Sequence, residues 1–388
     1  MKKPTVLAFT LFYLPGFRAG GPIRTISSMV EHLGDEVCFR IVTQDTDKAD
    51  VAPYSGIAKG CWNCVGKAEV LYVDRSNVGL RSILRIVREV SPDLIYLNSF
   101  FDYLFTQKVL LLKRIGALGD IPIVLAPRGE FSKGALGIKR LKKRAYIGCA
   151  SIAGLYRGVI WHASSAMERA DILREFPSAD EGSIRVAMDM VSKAAPLAIE
   201  HGRPREGRLR VCFLSRISPM KNLLYALQCM AKVTAEIEFS IFGPKAVPEY
   251  WDACEKVMAR IPKNIMVEYR GEVEHQRVRQ VLSEHDVFFF PTLGENFGHV
   301  IHEALSAGLP VITSDQTPWL DLEVKGVGWA LPLSNEDAFV QVLERIAGMD
   351  EEERRAMARR AQAYAAEREG DASVLEANRA LFLDVCRG

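Results

Sequence analysis

The sequence predicts an α/β protein with two doubly wound, Rossmann-like domains, each built on a parallel sheet. Its length of 388 residues is enough for two domains of ordinary size. Short apolar runs alternate with helical patterns through the first half, which is typical of βαβ units. In the second half an apolar run over 286–290 stops at Pro291 and leads through a glycine loop into a helical pattern.

The elements of the first half follow in a regular order. Apolar runs predict strands near 6–10, 37–43, 68–73, 94–97 and 121–126, and helical periodicity predicts helices near 80–90 and 103–115. A glycine-rich segment over 15–24 follows the first strand and leads into a helix that starts near Pro22, a residue suited to the first helical turn. The segment 45–67 is predicted to be a loop, which is long for a compact domain.

The second half repeats the alternation after a polar stretch over 200–208, which is predicted to be the linker. Strands are predicted over 209–214, 237–242 and 309–313, a helix over 223–231, and a charged helical tail over 350–388. We therefore place a first domain at 1–200, a second domain at 206–370, and a C-terminal helix at 371–388.

Composition and charge narrow the possible function classes. Apolar residues make up 48% of the chain and charged residues 25%, as in soluble globular proteins. The net charge of +2 argues against a general nucleic-acid-binding protein. No apolar run reaches the ~18 residues that span a bilayer, and the N-terminal stretch is interpreted as a first strand rather than a signal peptide. We therefore expect a cytoplasmic protein.

Eight cysteines are scattered along the chain, and only Cys61 and Cys64 are closely spaced. A single C-x-x-C pair lacks the second pair of ligands that a zinc site of this type needs. A redox role stays open beside the interpretation we favour, which is two reduced thiols in a loop.

Two carboxylates, Glu295 and Glu303, lie eight residues apart around the glycine loop. At about 100° per residue, Glu303 shares a helix face with His299. The helix start offers backbone N–H groups and the positive end of the helix dipole, which suit a phosphate. A nucleotide-sugar, with a diphosphate between two sugars, fits this pattern. A helix capped by Asn296 with two solvated glutamates fits the spacing equally well.

A specific resemblance lies in Glu-Asn-Phe-Gly-His-Val-Ile-His-Glu, which runs from Glu295 to Glu303, and in the Ala-Leu-Ser-Ala-Gly-Leu-Pro-Val that follows. This stretch resembles the E-x7-E signature of the retaining family-four glycosyltransferases. The resemblance implies the GT-B architecture, in which two Rossmann-like domains face an interdomain cleft and the last helix crosses back to the first domain. Pro-Arg-Gly at 127–129 and Thr-Pro-Trp-Leu-Asp at 317–321 are similar to the exopolysaccharide-type subgroup.

The resemblance also implies a donor site without a metal or a cofactor. Arg216 and Lys221 match the Arg-x4-Lys element that reaches the donor diphosphate, and they form the predicted catalytic set with Glu295. Two cations beside a helix N-terminus can neutralise a diphosphate leaving group. The other predicted donor-binding residues are Gly20, Gly21, Arg270, Glu272, Val273, Asn296, Phe297, Gly298, His299, Val300 and Glu303.

The predicted acceptor residues are Arg24, Arg128 and Glu130. Many relatives carry a histidine where this chain has Arg128, so the role of this position is open. The guanidinium could hold an anionic acceptor or a phosphate through two hydrogen bonds. It could equally be a structural arginine that pairs with Glu130. His162, at the end of an apolar run, is interpreted as structural.

Basic residues at 139, 140, 142, 143 and 144 alternate with Leu136, Leu141, Tyr146 and Ile147 within the segment 133–147. A basic amphipathic helix can lie on an anionic membrane. A solvated helix face with a core stripe explains the same pattern. Because many acceptors in the family are lipid-linked, both interpretations stay open, and the first places the protein at the inner face of the membrane.

Together these features predict a retaining glycosyltransferase. It would move a sugar from a nucleoside-diphosphate sugar to a saccharide or lipid-linked acceptor in cell-surface or exopolysaccharide assembly, without binding nucleic acid. Two other functions fit the same site: a nucleotide-sugar epimerase or hydrolase, and a non-catalytic nucleotide-sugar-binding protein. The epimerase or hydrolase would form product from donor alone, and the binding protein would glycosylate no acceptor.

Overall fold

The computed structural model describes residues 3–48, 50–137, 140–191 and 207–387. The chain divides into two compact units. The first consists of Met1–Ser192 and Asp371–Gly388, and the second of Lys193–Gly370. The predicted linker over 200–208 lies almost wholly outside the described residues.

The described part of the first unit forms one eight-stranded sheet in the order β3-β4-β2-β1-β5-β6-β7-β8. Its strands are β1 Thr5–Phe9, β2 Cys38–Gln44, β3 Trp62–Val65, β4 Ala68–Val73, β5 Leu94–Asn98, β6 Ile123–Ala126, β7 Ile160–Ala163 and β8 Ile184–Val186. The pairings are parallel except for β3, which runs antiparallel to β4. Part of the segment predicted as a loop over 45–67 is therefore an edge strand, which carries the exposed thiol of Cys64.

Two apolar clusters cover the two faces of this sheet. Leu7 and Leu97 point into one cluster, while Val6 and Tyr96 point into the other, as the two-residue repeat of a strand requires. A central parallel strand buried on both faces is continuously apolar, and this is the pattern that predicted these strands.

Helices connect the strands of the first unit. They are α1 Gly21–Leu33, α2 Leu80–Val90, α3 Lys108–Arg114, α4 Lys133–Gly137, α5 Arg140–Ile152 and α6 Ala166–Glu175. The helix predicted over 103–115 begins instead with a π-helical turn at Tyr103–Gln107, capped by the side chain of Asp102, before α3 starts.

The described part of the second unit forms a six-stranded, fully parallel sheet in the order β11-β10-β9-β12-β13-β14. Its strands are β9 Leu209–Leu214, β10 Ile237–Phe242, β11 Ile265–Tyr269, β12 Val287–Phe290, β13 Val311–Ser314 and β14 Gly328–Leu331. Its helices are α7 Leu223–Met230, α8 Pro248–Met258, α9 His275–Ser283, α10 His299–Ser306, α11 Glu336–Ala347 and α12 Glu351–Glu369. The strand order reverses between β9 and β12, and in open α/β sheets ligands bind beyond the strand ends at such a reversal.

The last helix, α13 (Ala372–Arg387), returns to the first unit. Phe382 is fully buried, with its ring centroid 5.7 Å from that of Phe39 and 5.5 Å from that of Tyr96. Arg379 forms two hydrogen bonds with the carboxylate of Glu36. The C-terminal helix is thus part of the core of the first unit. None of the described helices combines the length and the apolar character that crossing a bilayer requires.

We expect Phe382→Ala to lower the free energy of unfolding by about 3–5 kcal/mol, because it removes a buried aromatic ring from this core. Asp384→Ala changes an exposed residue of the same helix and should stay within about 0.5 kcal/mol of the wild type. Urea unfolding followed by tryptophan fluorescence measures both. Equal midpoints for the two variants would contradict the packing of α13.

Candidate functional site

The glycine loop of the second unit joins β12 to α10. Gly298 has a φ of 84° and is the N-cap of α10, where its carbonyl oxygen accepts a hydrogen bond from the N–H of Ile301 at 2.8 Å. A Cβ at this position would lie 3.0 Å from the Cδ1 atom of Ile301. Both the left-handed backbone and the nearby Ile301 side chain favour glycine over other residues at this position. Glycine therefore allows the chain to turn sharply into the helix. None of the described side chains caps this helix.

The first turn of α10 therefore lies just beyond the end of a central strand. Asn296 and Phe297 lie in the loop just before this turn, and His299 and Val300 are its first residues. The alternative interpretation, a helix capped by Asn296 with two solvated glutamates, is wrong in both parts: Gly298 is the N-cap, and the side chains of Glu295 and Glu303 are only 11% and 13% exposed.

A second stretch, at the end of β9, packs directly against this loop. It forms a short 3-10 turn, Pro219–Lys221, before α7. The carbonyl oxygen of Met220 accepts hydrogen bonds from the N–H of Leu293 at 2.9 Å and from the hydroxyl of Thr292 at 3.0 Å. The side-chain amide of Asn222 donates to the carbonyl oxygen of Pro291 at 2.9 Å. The strand ends on both sides of the order reversal are thus bonded to each other.

An ion pair completes this junction. Lys221 Nζ donates to Glu295 Oε1 at 2.5 Å, and the hydroxyl oxygen of Thr292 lies 3.1 Å from the same carboxylate oxygen. The backbone N–H of Glu295 donates to the carbonyl oxygen of Gln316, in the segment after β13, at 3.0 Å. Three neighbouring strand ends therefore fix the position of the Glu295 carboxylate.

Arg216 lies half-buried in the same stretch as Lys221. Burial lowers the pKa of its guanidinium, and the negative charge of Glu295 opposes this effect. Within the described ranges, no residue forms a hydrogen bond with this guanidinium. Two cations and one carboxylate, close to the positive end of a helix, leave a net positive charge that favours an anionic ligand.

Aromatic side chains pack against Phe297 in the glycine loop. The indole N–H of Trp319 donates to the carbonyl oxygen of Phe297 at 2.6 Å, and the two ring centroids lie 5.4 Å apart. The ring of Phe297 also lies 4.9 Å from that of His299. Sequence reasoning did not assign Trp319, Thr292 or Gln316 to the site. Thr292 and Gln316 each follow a strand end by two residues, a signal that could have identified them.

Glu303 lies on the first turns of α10, with Oε1 3.8 Å from the Nδ1 atom of His275 at the start of α9. The predicted residues Arg270, Glu272 and Val273 follow β11. Arg270 pairs with Glu238 and Glu268 at the edge of the sheet, at 2.7 and 2.9 Å, and Glu272 is exposed.

The turn that carries Arg270, Glu272 and Val273 is nevertheless bonded to the neighbouring strand end. The carbonyl oxygen of Gly271 accepts from the N–H of Gly243, which follows β10, at 2.7 Å. This places the turn at the carboxyl ends of the strands, and the donor contacts of its three predicted residues stay predictions.

In the first unit, Gly20 and Gly21 begin α1. Gly20 is the N-cap with a φ of 69°, and its carbonyl oxygen accepts from the N–H of Ile23 at 3.1 Å. Arg24 follows in the first turn and is half-buried. The glycine turn and helix start are as predicted, and the donor and acceptor roles of these residues stay predictions.

The guanidinium of Arg128 is enclosed by partners of the first unit. It donates to Asn98 Oδ1 at 2.8 Å, to Asp189 Oδ1 at 2.5 Å and to the hydroxyl of Tyr96 at 2.5 Å. The structural pairing of Arg128 with Glu130 that we considered is wrong, because Asp189 is the carboxylate that it binds.

Glu130 instead accepts three hydrogen bonds at the start of the loop after β5. Their donors are the hydroxyl of Ser99 and the N–H groups of Phe100 and Phe101. Burial raises the pKa of this carboxyl group. Both Arg128 and Glu130 thus have structural contacts, and their roles toward an acceptor stay predictions.

The same network contains His162. Its Nδ1 atom lies 2.8 Å from the hydroxyl of Tyr96, and its Nε2 atom 2.8 Å from the carbonyl oxygen of Ala187. Because the Tyr96 hydroxyl accepts from Arg128, its proton is directed at Nδ1, and Nε2 carries the ring proton. The imidazole is therefore neutral and structural, in agreement with the interpretation of the sequence.

Residues 198–364 match the family model described as glycosyl transferases group 1. The matched stretch lies within the second unit. Among curated proteins, the chain is similar to a phosphatidyl-myo-inositol mannosyltransferase from Mycolicibacterium smegmatis, with 29% identity over 171 residues. The matched stretch covers 42% of this chain and 42% of the length of that relative.

Solved structures match over nearly the whole chain. HepE from Anabaena, solved in complex with UDP and glucose, gives a TM-score of 0.70 at 16% identity and covers 99% of this chain and 100% of its own. WaaG, a glycosyltransferase involved in lipopolysaccharide biosynthesis, gives 0.68 at 14% identity and covers 97% and 99%. The fold is therefore that of the GT-B glycosyltransferases, as predicted. Across the described ranges, no cluster of three or more His, Cys, Asp or Glu side chains is placed to hold a metal ion.

We expect the protein to lose stability as the pH falls below about 6.5, in part because of His162. Burial lowers the pKa of His162 from 6.5 to about 4. Between these two pH values the unfolded chain binds a proton that the folded chain excludes. The free energy of unfolding therefore decreases as the pH decreases, and His162 contributes at most ~1.4 kcal/mol per pH unit to this decrease. In His162→Gln, whose amide can replace both hydrogen bonds, urea unfolding should show a weaker pH dependence between about 4 and 6.5. An unchanged dependence would contradict the neutral, buried imidazole.

Proposed function

We propose that this protein is a retaining glycosyltransferase that transfers a sugar from a nucleoside-diphosphate sugar. The observation that carries the proposal is the ion pair between Lys221 and Glu295, which joins the two predicted donor stretches where the strand order reverses. The group 1 match over 198–364 supports glycosyl transfer. HepE, which has the same fold, was solved with UDP and glucose, and this supports a nucleotide-sugar donor.

The donor diphosphate is proposed to lie between Arg216, Lys221 and the first backbone N–H groups of α10. Its negative charge matches the two cations and the helix dipole. Because described residues leave the Arg216 guanidinium without a hydrogen-bond partner, it can bind phosphate oxygens without breaking a bond within the protein. Glu303 is proposed to accept from ribose hydroxyls, and Glu295 from hydroxyls of the transferred sugar.

Catalysis is proposed to depend on orientation and on stabilisation of the leaving group. The bond between the sugar's anomeric carbon and the diphosphate oxygen breaks, and the acceptor oxygen bonds to that carbon on the same face. The acceptor's proton passes to the leaving diphosphate. Lys221 and Arg216 stabilise the charge that develops there, so that neither an enzyme nucleophile nor a metal ion is needed.

The acceptor is proposed to be a saccharide or a lipid-linked saccharide, in cell-surface or exopolysaccharide assembly at the cytoplasmic face of a membrane. The Pro-Arg-Gly and Thr-Pro-Trp-Leu-Asp segments support this context through their resemblance to exopolysaccharide-type relatives. Lipopolysaccharide biosynthesis is the context of WaaG, which shares the fold.

We expect Glu295→Ala and Lys221→Ala each to lower sugar transfer by roughly two or more orders of magnitude, since each removes a charge that orients or stabilises the transition state. Transfer from a panel of radiolabelled nucleotide-sugars to lipid and saccharide extracts measures this. Product formed from donor alone would instead identify an epimerase or hydrolase.

The matched controls are Glu323→Ala and Lys256→Ala, which change exposed residues of the same unit. Both should retain wild-type transfer. Circular dichroism should show the same fold in all four variants. Wild-type turnover by Glu295→Ala and Lys221→Ala would contradict the proposed site, and donor binding without transfer to any acceptor would indicate a binding protein.

We also expect full transfer activity in excess chelator, because two side-chain cations take the place of a metal at the leaving diphosphate. The measurement compares initial rates after dialysis against chelator with rates after adding Mg²⁺ or Mn²⁺. A rate that depends on the added ion would contradict metal-independent transfer.

A further inference from the structure

Positive charge is concentrated in one stretch of the first unit. Between Phe131 and Met167 the sequence contains seven Lys and Arg residues and no Asp or Glu, although the whole chain has a net charge of only +2. Most of these cations lie at the start of α5. Arg140, Lys142 and Arg144 are exposed, and described residues provide no salt bridge to any of them.

The same helix has an exposed apolar face. At about 100° per residue, positions 141, 145, 148 and 152 lie within a narrow sector of an α-helix. Leu141 and Ile152, at the two ends of this sector, are 86% and 91% exposed. The opposite sector contains Ile147 and Ala150, which are buried. One interpretation of the sequence placed the apolar residues of 133–147 in the core. It is only partly correct, because Leu141 belongs to the exposed face.

The end of α3 lies beside the end of α5. Arg114 donates from Nε to the carbonyl oxygen of Ala153 at 3.2 Å. Ile115, the next residue, is 65% exposed, and Leu111 one turn earlier is 43% exposed. We use the name α3–α5 surface for the exposed apolar side chains of Leu111, Ile115, Leu141 and Ile152 together with the cations of Arg140, Lys142 and Arg144.

We propose that the α3–α5 surface docks the first unit onto a bilayer that contains anionic lipid. The three cations lie about 60–100° to either side of Leu141 around the helix, so they flank the apolar sector as headgroup-binding residues flank the inserted face of an interfacial helix. Apolar side chains enter the boundary between headgroups and acyl chains, while the cations bind lipid phosphates.

The apolar centre is what favours a lipid surface over other acidic partners. Nucleic acids are bound mainly by cations that neutralise phosphates. Binding of that kind would not explain why Leu141 and Ile152 have about nine-tenths of their surface exposed to water. A bilayer buries such side chains and attracts the surrounding cations at the same time. This inference does not depend on sugar transfer, because docking needs neither donor nor acceptor.

The first test compares Leu141→Ser/Ile152→Ser with the wild-type chain by co-sedimentation with vesicles. We expect the wild type to bind vesicles of equal parts phosphatidylcholine and phosphatidylglycerol but not vesicles of phosphatidylcholine alone. The double variant should bind at least about tenfold more weakly. The control Leu320→Ser/Val324→Ser removes apolar residues of the second unit that are 56% and 90% exposed, and it should bind as the wild type does.

The second test removes charge. A variant in which the three cations of the α3–α5 surface are replaced by glutamine should bind anionic vesicles on the order of a hundredfold more weakly than the wild type. A control variant in which three exposed cations of the second unit are replaced by glutamine should bind as the wild type does. The substitutions are Arg140→Gln, Lys142→Gln and Arg144→Gln in the first variant, and Lys256→Gln, Arg260→Gln and Lys263→Gln in its control.

Three outcomes would overturn the proposal. The first is a wild type that does not bind anionic vesicles, or that binds neutral ones equally well. The second is unchanged binding by Leu141→Ser/Ile152→Ser. The third is loss of binding in the charge variant alone, which would indicate a purely electrostatic surface for an acidic protein or a nucleic acid. Circular dichroism and an unchanged melting temperature in all variants separate loss of docking from loss of folding.

Discussion

The hydrogen-bonded ion pair between Lys221 and Glu295 is the interaction on which the second unit's site depends. Its two partners follow β9 and β12, which are adjacent only because the strand order reverses between them. Both side chains are largely buried, and a buried ion pair is weak evidence for stability because desolvation offsets the attraction. The contacts from three strand ends that hold this pair in place are those that the proposed donor site needs for preorganisation.

The preorganisation is asymmetric. The Glu295 carboxylate has its Lys221, Thr292 and backbone contacts already in place, while Arg216 has charge but no described hydrogen-bond partner. In the proposed function, a diphosphate oxygen accepts from the Arg216 guanidinium, and no hydrogen bond between this guanidinium and a described residue has to break.

The sequence predicted the central strands and the glycine loop because each has a local signal: a continuous apolar run, or a glycine at a left-handed turn. It missed β3 because an edge strand containing Asn63 and Cys64 has no such run. It could not predict that Arg128 binds Asp189, which lies 61 residues away and becomes a neighbour only through the pairing of β6, β7 and β8. Helical periodicity showed which residues of α5 share a face, but burial of Ile147 and exposure of Leu141 depend on what packs against the helix.

The return of α13 to the first unit has a consequence for biosynthesis. Phe39 and Tyr96 are made early, but Phe382, whose ring packs against both of theirs, is made only after the whole second unit. The first unit therefore cannot complete its core until α13 has been translated, whereas the described strands of the second unit are all made before α13. A chain that stopped before α13 would contain every described strand of both units, yet the first unit would lack the buried ring of Phe382.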